Sequence, residues 1–187
     1  MNRQNRILLS TLAIWGLTAF TAQAIDKVCL EAETATELTA PMRVVDAENP
    51  PAQAKAKPVA GASGNKYIEI PEGAGKPPDV LGDATFTFTI KKEGTYYLWA
   101  RVYWPDGCGN SFGMSIDGAK AFTFGQDGTE KRWHWVQAPK RLKQLELEAG
   151  KHTLQVSNRE DGAIVDQILL VNHKRYVPVA IEDPTTP

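Results

Sequence analysis

Beyond residue 24 the apolar residues of this chain recur mostly at every second position, and no stretch there carries a helical period. Thr85 to Ile90 is the clearest case, with Phe86, Phe88 and Ile90 on one side and threonines on the other. Past the Glu93-Gly94 turn, Tyr96, Leu98, Ala100 and Val102 oppose Tyr97, Trp99, Arg101 and Tyr103. Val28, Leu30 and Ala32 alternate with Cys29, Glu31 and Glu33 in an opening strand, and Tyr67 to Ile70 forms a short strand between irregular stretches. Ser111 to Asp117 and Ala119 to Phe124 form a hairpin about the Asp117-Gly118 turn. Trp133 to Val136 is a strand with both tryptophans on one side. Leu145, Leu147 and Ala149, continued by His152, Leu154 and Val156, read as one long strand. The polar run Ser157 to Gly162 turns the chain, and Ala163 to Val171 returns as an apolar strand with Ile164, Asp166, Ile168 and Leu170 sharing a face.

About ten short strands with Gly-rich turns and no helix predict an all-β fold, an antiparallel β-sandwich. The tail after Tyr176, with Pro178, Pro184 and Pro187, reads as a final edge strand and a frayed end.

The first 24 residues stand apart. Arg3 and Arg6 precede the apolar run Ile7 to Phe20, and Ala22-Gln23-Ala24 offers a small-residue cleavage site, the pattern of a secretory signal peptide. The run is shorter than the roughly 20 residues of a membrane span. Residues 25–187 then form one domain of a secreted or periplasmic protein with no membrane insertion. Removing residues 1–24 takes two of the 21 basic residues and none of the 22 acidic ones, leaving a formal charge of −3. That balance argues against nucleic acid as a partner. In an oxidising compartment Cys29 and Cys108 either join in one disulfide or remain thiols.

Asp166 poses the chemical question. An isolated carboxylate among aliphatic neighbours is costly and must be neutralised, paired or bound to a metal. Glu31 and Glu33 are two apart on the opening strand, roughly 6–7 Å, so both lean toward one cation or both face water.

Several segments in order carry a family resemblance: Leu30-Glu31-Ala32-Glu33, Gly94 to Val102, Trp133 to Trp135, Leu147 to Leu154, and Asp166-Gln167-Ile168. Together they resemble the jelly-roll carbohydrate-binding modules of families 6 and 35, in the galactose-binding-like group. The resemblance implies a structural calcium ligated by Glu31, Glu33 and Asp166. Hard oxygen donors suit that ion, while the alternative pairs Asp166 with an arginine or backbone amides.

The resemblance also implies a glycan site at the loop end of the sandwich, where aromatic faces pack on sugar C–H groups and polar side chains take hydroxyls. Trp104, Trp133 and Trp135 are the candidate platforms, with Tyr103 and Tyr67 behind them. Trp104 leads, because it begins a Pro/Gly loop. The family's asparagine two residues before the closing aspartate is replaced by Ile164, so Asp106, Asn110, Asp127, Arg159 and Asp161 are the polar substitutes. Arg159 either pairs with Glu160 or clamps the carboxylate of an acidic polysaccharide or oligosaccharide. No carboxylate pair or activated nucleophile is identifiable, which favours binding over turnover; the alternatives are a structural sandwich without sugar binding and a small polysaccharide-acting enzyme.

Overall fold

The computed structural model describes residues 25–50, 57–140, 142 and 144–185. The signal-peptide reading lies outside the described residues. No helix among those described is long and apolar enough to cross a membrane.

Among the described residues, twelve strands form two antiparallel sheets. They are β1 (Lys27–Glu31), β2 (Glu37–Leu38), β3 (Arg43–Asp46), β4 (Lys66–Glu69), β5 (Asp83–Ile90), β6 (Gly94–Tyr103), β7 (Ser111–Ile116), β8 (Phe122–Gly125), β9 (Trp133–Gln137), β10 (Leu145–Leu147), β11 (Gly150–Ser157) and β12 (Ile164–Val171). The seven-stranded sheet runs β10-β6-β12-β4-β3, with β1 also on β12 and β9 also on β6. The five-stranded sheet runs β2-β5-β11-β7-β8. Inward residues of both sheets, among them Phe86, Phe88, Ile90, Leu98, Val102, Leu154, Val156, Ile168 and Leu170, form one core. Each fully buried large side chain there stabilises the fold by about 1.5–3 kcal/mol.

All eight residues of β12 are buried, which makes it the central strand. It pairs with β6 along one edge and with β1 and β4 along the other. The register on β6 shifts between Val165 and Gln167. This bulge reverses the side-chain alternation: Val165, Ile168 and Leu170 face the core, whereas Ile164 joins a second apolar cluster with Val45, Ala62 and Tyr67. The expected shared face of Ile164 and Ile168 is therefore wrong, and Asp166 sits at the break.

Three further expectations are corrected. Leu145 to Val156 is not one strand: β10 pairs with β6 and β11 with β5 and β7, so the chain changes sheet between Leu147 and Gly150. Among the described residues no strand follows Val171, and the tail up to residue 185 lies on β1 and β12. Gln167 exchanges two hydrogen bonds with the Glu182 backbone, at 2.8 and 3.0 Å, and Thr185 N–H donates to the Cys29 carbonyl at 2.8 Å. The hairpin after Ser111 places its second strand at Phe122–Gly125, with Phe112 opposite Phe124.

His152 on β11 ties the β7–β8 turn to the sandwich. Its Nδ1 lies 2.7 Å from Asp117 Oδ2 and its Nε2 2.9 Å from the Glu148 carbonyl, so the imidazolium donates to both. Burial pulls the imidazole pKa down, but Asp117 and the Glu148 carbonyl outweigh it and the value lies above the ordinary 6.5. Stability from this group is complete below the unfolded value and is lost as pH rises through the folded one. The melting temperature is expected to fall on that alkaline side, and Asp117→Asn to flatten the slope; an unchanged slope in the variant would place the pH dependence elsewhere.

Candidate functional site

On the outer face of the seven-stranded sheet, β3, β4, β6 and β12 present Val45, Tyr67, Tyr103 and Ile164 as the floor of a cleft of about 780 Å³. The loops at 57–59, 71–74 and 105–106, with Lys131 and Gly162, form its walls. A volume of this size accommodates a small ligand. The Val59 N–H donates to Tyr67 Oη at 3.1 Å, which holds one wall against the floor. Gly162, at φ +79°, allows the opposite wall to close: a Cβ there would stand 2.5 Å from Glu72 Oε2.

Charged groups surround this apolar floor. Arg43 and Glu69 are cross-strand partners on β3 and β4, and Arg43 Nε and Nη2 both donate to Glu69 Oε1, at 3.0 and 2.7 Å. Asp106 Oδ1 accepts from the N–H groups of Cys108 and Gly109, at 2.7 and 3.0 Å, which holds its carboxyl below the usual range. Glu72 is pushed the other way, by partial burial and by the charges of Asp161 and Asp106.

The tryptophans do not form this cleft. Trp104, the leading candidate platform, is fully buried: its ring packs on Phe112 and His134, and its Nε1 donates to Asp127 Oδ1 at 2.8 Å. The inward alternation of β6 carries through Val102 to Trp104, so that residue belongs to the core despite the Pro/Gly loop that follows. Trp133 stands behind the tyrosines, edge-on to Tyr67 and Tyr103 at 5.9 and 5.5 Å, with its Nε1 donating to the Ala60 carbonyl. Tyr67 and Tyr103, expected behind the tryptophans, are thus the rings that line the cleft. Trp135 Nε1 donates to the Ala180 carbonyl at 2.8 Å, placing this ring beside the C-terminal tail.

Of the polar candidates, Asp106 alone lines the cleft. Asp161 Oδ2 accepts from Gly73 and Gly75 N–H at 2.9 and 3.2 Å and holds the cleft wall from outside. Asn110 Nδ2 donates to the Gly107 carbonyl at 2.9 Å and shapes its own loop. Arg159 pairs with Glu160 and donates to Ser111 Oγ, so its guanidinium is engaged within the protein. Arg43, Glu69, Glu72, Lys57 and Lys131 escaped the reading of the sequence. A signal existed for two of them: Arg43-Val-Val-Asp46 and Lys66-Tyr-Ile-Glu69 are charge-complementary when paired antiparallel, as they are here.

The three candidate metal ligands do not line the cleft. Asp166 is fully buried, with Oδ1 accepting from Ser63 N–H at 2.8 Å and Oδ2 paired with Arg101. It therefore has the arginine and backbone-amide partners anticipated as the alternative to metal. Glu31 Oε1 accepts from Ser63 Oγ at 2.7 Å and from Gln167 Nε2 at 2.8 Å. Glu31 Oε2 and Glu33 Oε2 are buried without a hydrogen-bond partner. Burial, then the charges of Glu31 and Asp166, push the Glu33 carboxyl up to about 7. Among the described residues no three acidic, histidine or cysteine side chains converge as a metal cluster. Two orphaned carboxylate oxygens do fit a hard cation.

Of the two states open to the cysteines, the structure has the thiols and not the disulfide: Cys29 is buried in β1 and Cys108 exposed in the loop after β6. Burial pushes the Cys29 thiol up to about 12, which keeps it protonated and inert.

No protein-family model and no curated protein sequence matches the chain. Solved structures do. A family 35 carbohydrate-binding module from Clostridium thermocellum superposes with a TM-score of 0.55 at 15% identity, over 78% of this chain and 97% of that one. The module from Paenibacillus barcinonensis gives 0.54 at 18% identity, over 76% and 97%. This chain has the fold of the family 35 carbohydrate-binding modules. The GH26-CBM35 β-(1,4)-mannanase of Podospora anserina also matches, with a TM-score of 0.58 at 20% identity over 81% of this chain. The chain spans only 29% of that enzyme's length.

Proposed function

We propose that this chain is an exported, non-catalytic carbohydrate-binding protein that seats a glycan in the Tyr67–Tyr103 cleft and uses calcium as a structural ion at Glu31 and Glu33. The observation that carries the reading is a preformed cleft with an apolar, tyrosine-bearing floor and a polar rim, on the fold shared with family 35 carbohydrate-binding modules. Sugar C–H faces would pack on the partly buried Tyr103, and hydroxyls would meet Arg43, Glu69 and Asp106. With Ile164 in the floor, the polar role of the missing asparagine passes to these rim residues.

The calcium proposal rests on the two orphaned oxygens. Glu31 and Glu33 would hold the ion, with Asp166, already engaged by Arg101 and Ser63, adding negative potential nearby. Bound calcium would neutralise the buried charge and join β1 to the 3-10 turn Ala32–Thr34 that follows it, where Glu33 lies past the end of the expected strand.

Thermal melting with calcium and with chelator, across a panel of glycans, tests both parts, since native-state ligands raise the midpoint by mass action. Calcium is expected to raise the midpoint in the wild type and not in Glu33→Gln. A glycan is expected to raise it further, and Tyr103→Ala to abolish that second shift while leaving the calcium shift intact. Calcium stabilisation with no glycan shift would favour a structural sandwich. Release of sugar products from the panel would show an enzyme instead.

A further inference from the structure

The cleft carries an internal clue to its ligand. Both Arg43 Nε and Nη2 converge on Glu69 Oε1, which leaves Arg43 Nη1 and Glu69 Oε2 without a hydrogen-bond partner among the described residues. The pair lies at the cleft, half-open to solvent on the arginine side and largely covered on the glutamate side, with relative exposures of 41% and 16%. A free donor and a free acceptor on one ion pair, next to Tyr67 and Ile164, form a two-point polar contact beside an apolar surface.

We infer that Arg43 and Glu69 read a vicinal diol on an uncharged sugar, Nη1 donating to one hydroxyl and Oε2 accepting from its neighbour; this rests on the carbohydrate reading above. The chemistry matches because adjacent hydroxyls offer an acceptor and a donor side by side. The charge balance supports a neutral ligand. Three cations line the cleft, Arg43, Lys57 and Lys131, and three carboxylates, Glu69, Glu72 and Asp106, balance them. Arg43, the one cation with a planar fork suited to a carboxylate, already has Glu69 as its partner. A uronate over the pair would meet the Glu69 carboxylate. Arg159, the other arginine considered for that task, is engaged by Glu160 and Ser111 away from the cleft lining.

The test is isothermal calorimetry on the calcium-supplemented protein with galactomannan, β-1,3-galactan and dextran as neutral probes, and polygalacturonate and alginate as acidic ones. The wild type is expected to bind at least one neutral probe and to favour it over both acidic ones. Arg43→Lys and Glu69→Gln are each expected to weaken that binding about tenfold or more, because each removes a charge-assisted hydrogen bond. Arg43→Lys keeps the charge and loses the fork, so its loss separates diol recognition from net charge. Melting curves of both variants are expected to stay near wild type, since the pair is partly exposed. Preference for an acidic probe, or wild-type affinity in both variants, overturns the diol inference and leaves carbohydrate binding standing. No binding to any probe overturns the carbohydrate reading and this inference with it.

Discussion

Asp166→Ala is expected to destabilise the native state by about 3–5 kcal/mol, since removing one member of a buried pair strands the other. The stranded groups are the Arg101 guanidinium, only 12% exposed, and the Ser63 N–H. For a domain of this size the melting temperature would fall by roughly 10 °C. Burial raises the Asp166 carboxyl above the usual range despite Arg101, the mark of a charge held where solvation is poor. Removing both charges avoids the stranded cation, so Asp166→Leu with Arg101→Met is expected to recover much of the loss. Denaturant melts of the two single variants and the double variant decide this. A single Asp166→Ala loss below about 1 kcal/mol, the range of exposed pairs, would show that the pair does not hold the bulge.

Trp104→Ala carries the second large effect, about 3–5 kcal/mol, and acts on the fold. The ring is fully buried against Phe112 and His134, and its Nε1 is tied to Asp127 in the loop 126–132. Removing it opens a cavity in the core and releases that loop. Tyr103→Ala, at the half-exposed floor of the cleft, is expected to lose glycan affinity at a smaller stability cost. Equilibrium unfolding of both variants, paired with glycan titration, separates the two roles. Near-wild-type stability with selective loss of glycan binding in Trp104→Ala would restore that tryptophan as a platform.

The contrast between these residues shows where reading the chain succeeded. Alternation along Thr85 to Ile90 and Tyr96 to Tyr103 located two strands, because a half-buried sheet writes its two faces into adjacent residues. The same rule failed at Asp166. One bulged residue reverses every face assignment beyond it, and nothing in Ile164 to Ile168 marks the extra residue. It failed again at Leu147 to Gly150, where the chain passes between sheets while apolar spacing continues nearly unbroken.

Local composition also pointed away from the residues that line the cleft. A tryptophan before Pro105 and Asp106 reads as a loop residue, yet Trp104 continues the inward face of β6. The tyrosines looked secondary, but β4 and the end of β6 bring Tyr67 and Tyr103 to the cleft floor, with Trp133 behind. The unpaired thiols follow from placement: one is buried in a central sheet and the other stands exposed on a distant loop.

The sequence by itself determined the β-sandwich class, most of the strands and the presence of one carboxylate, Asp166, in need of a partner, because those depend on spacing between neighbours in the chain. Tertiary structure alone decided that Asp166 meets Arg101 and Ser63, that Arg43 meets Glu69, and that Ile164 forms a cleft floor. Those contacts join residues 26 to 103 positions apart. They depend on strand order and register, which local spacing does not encode.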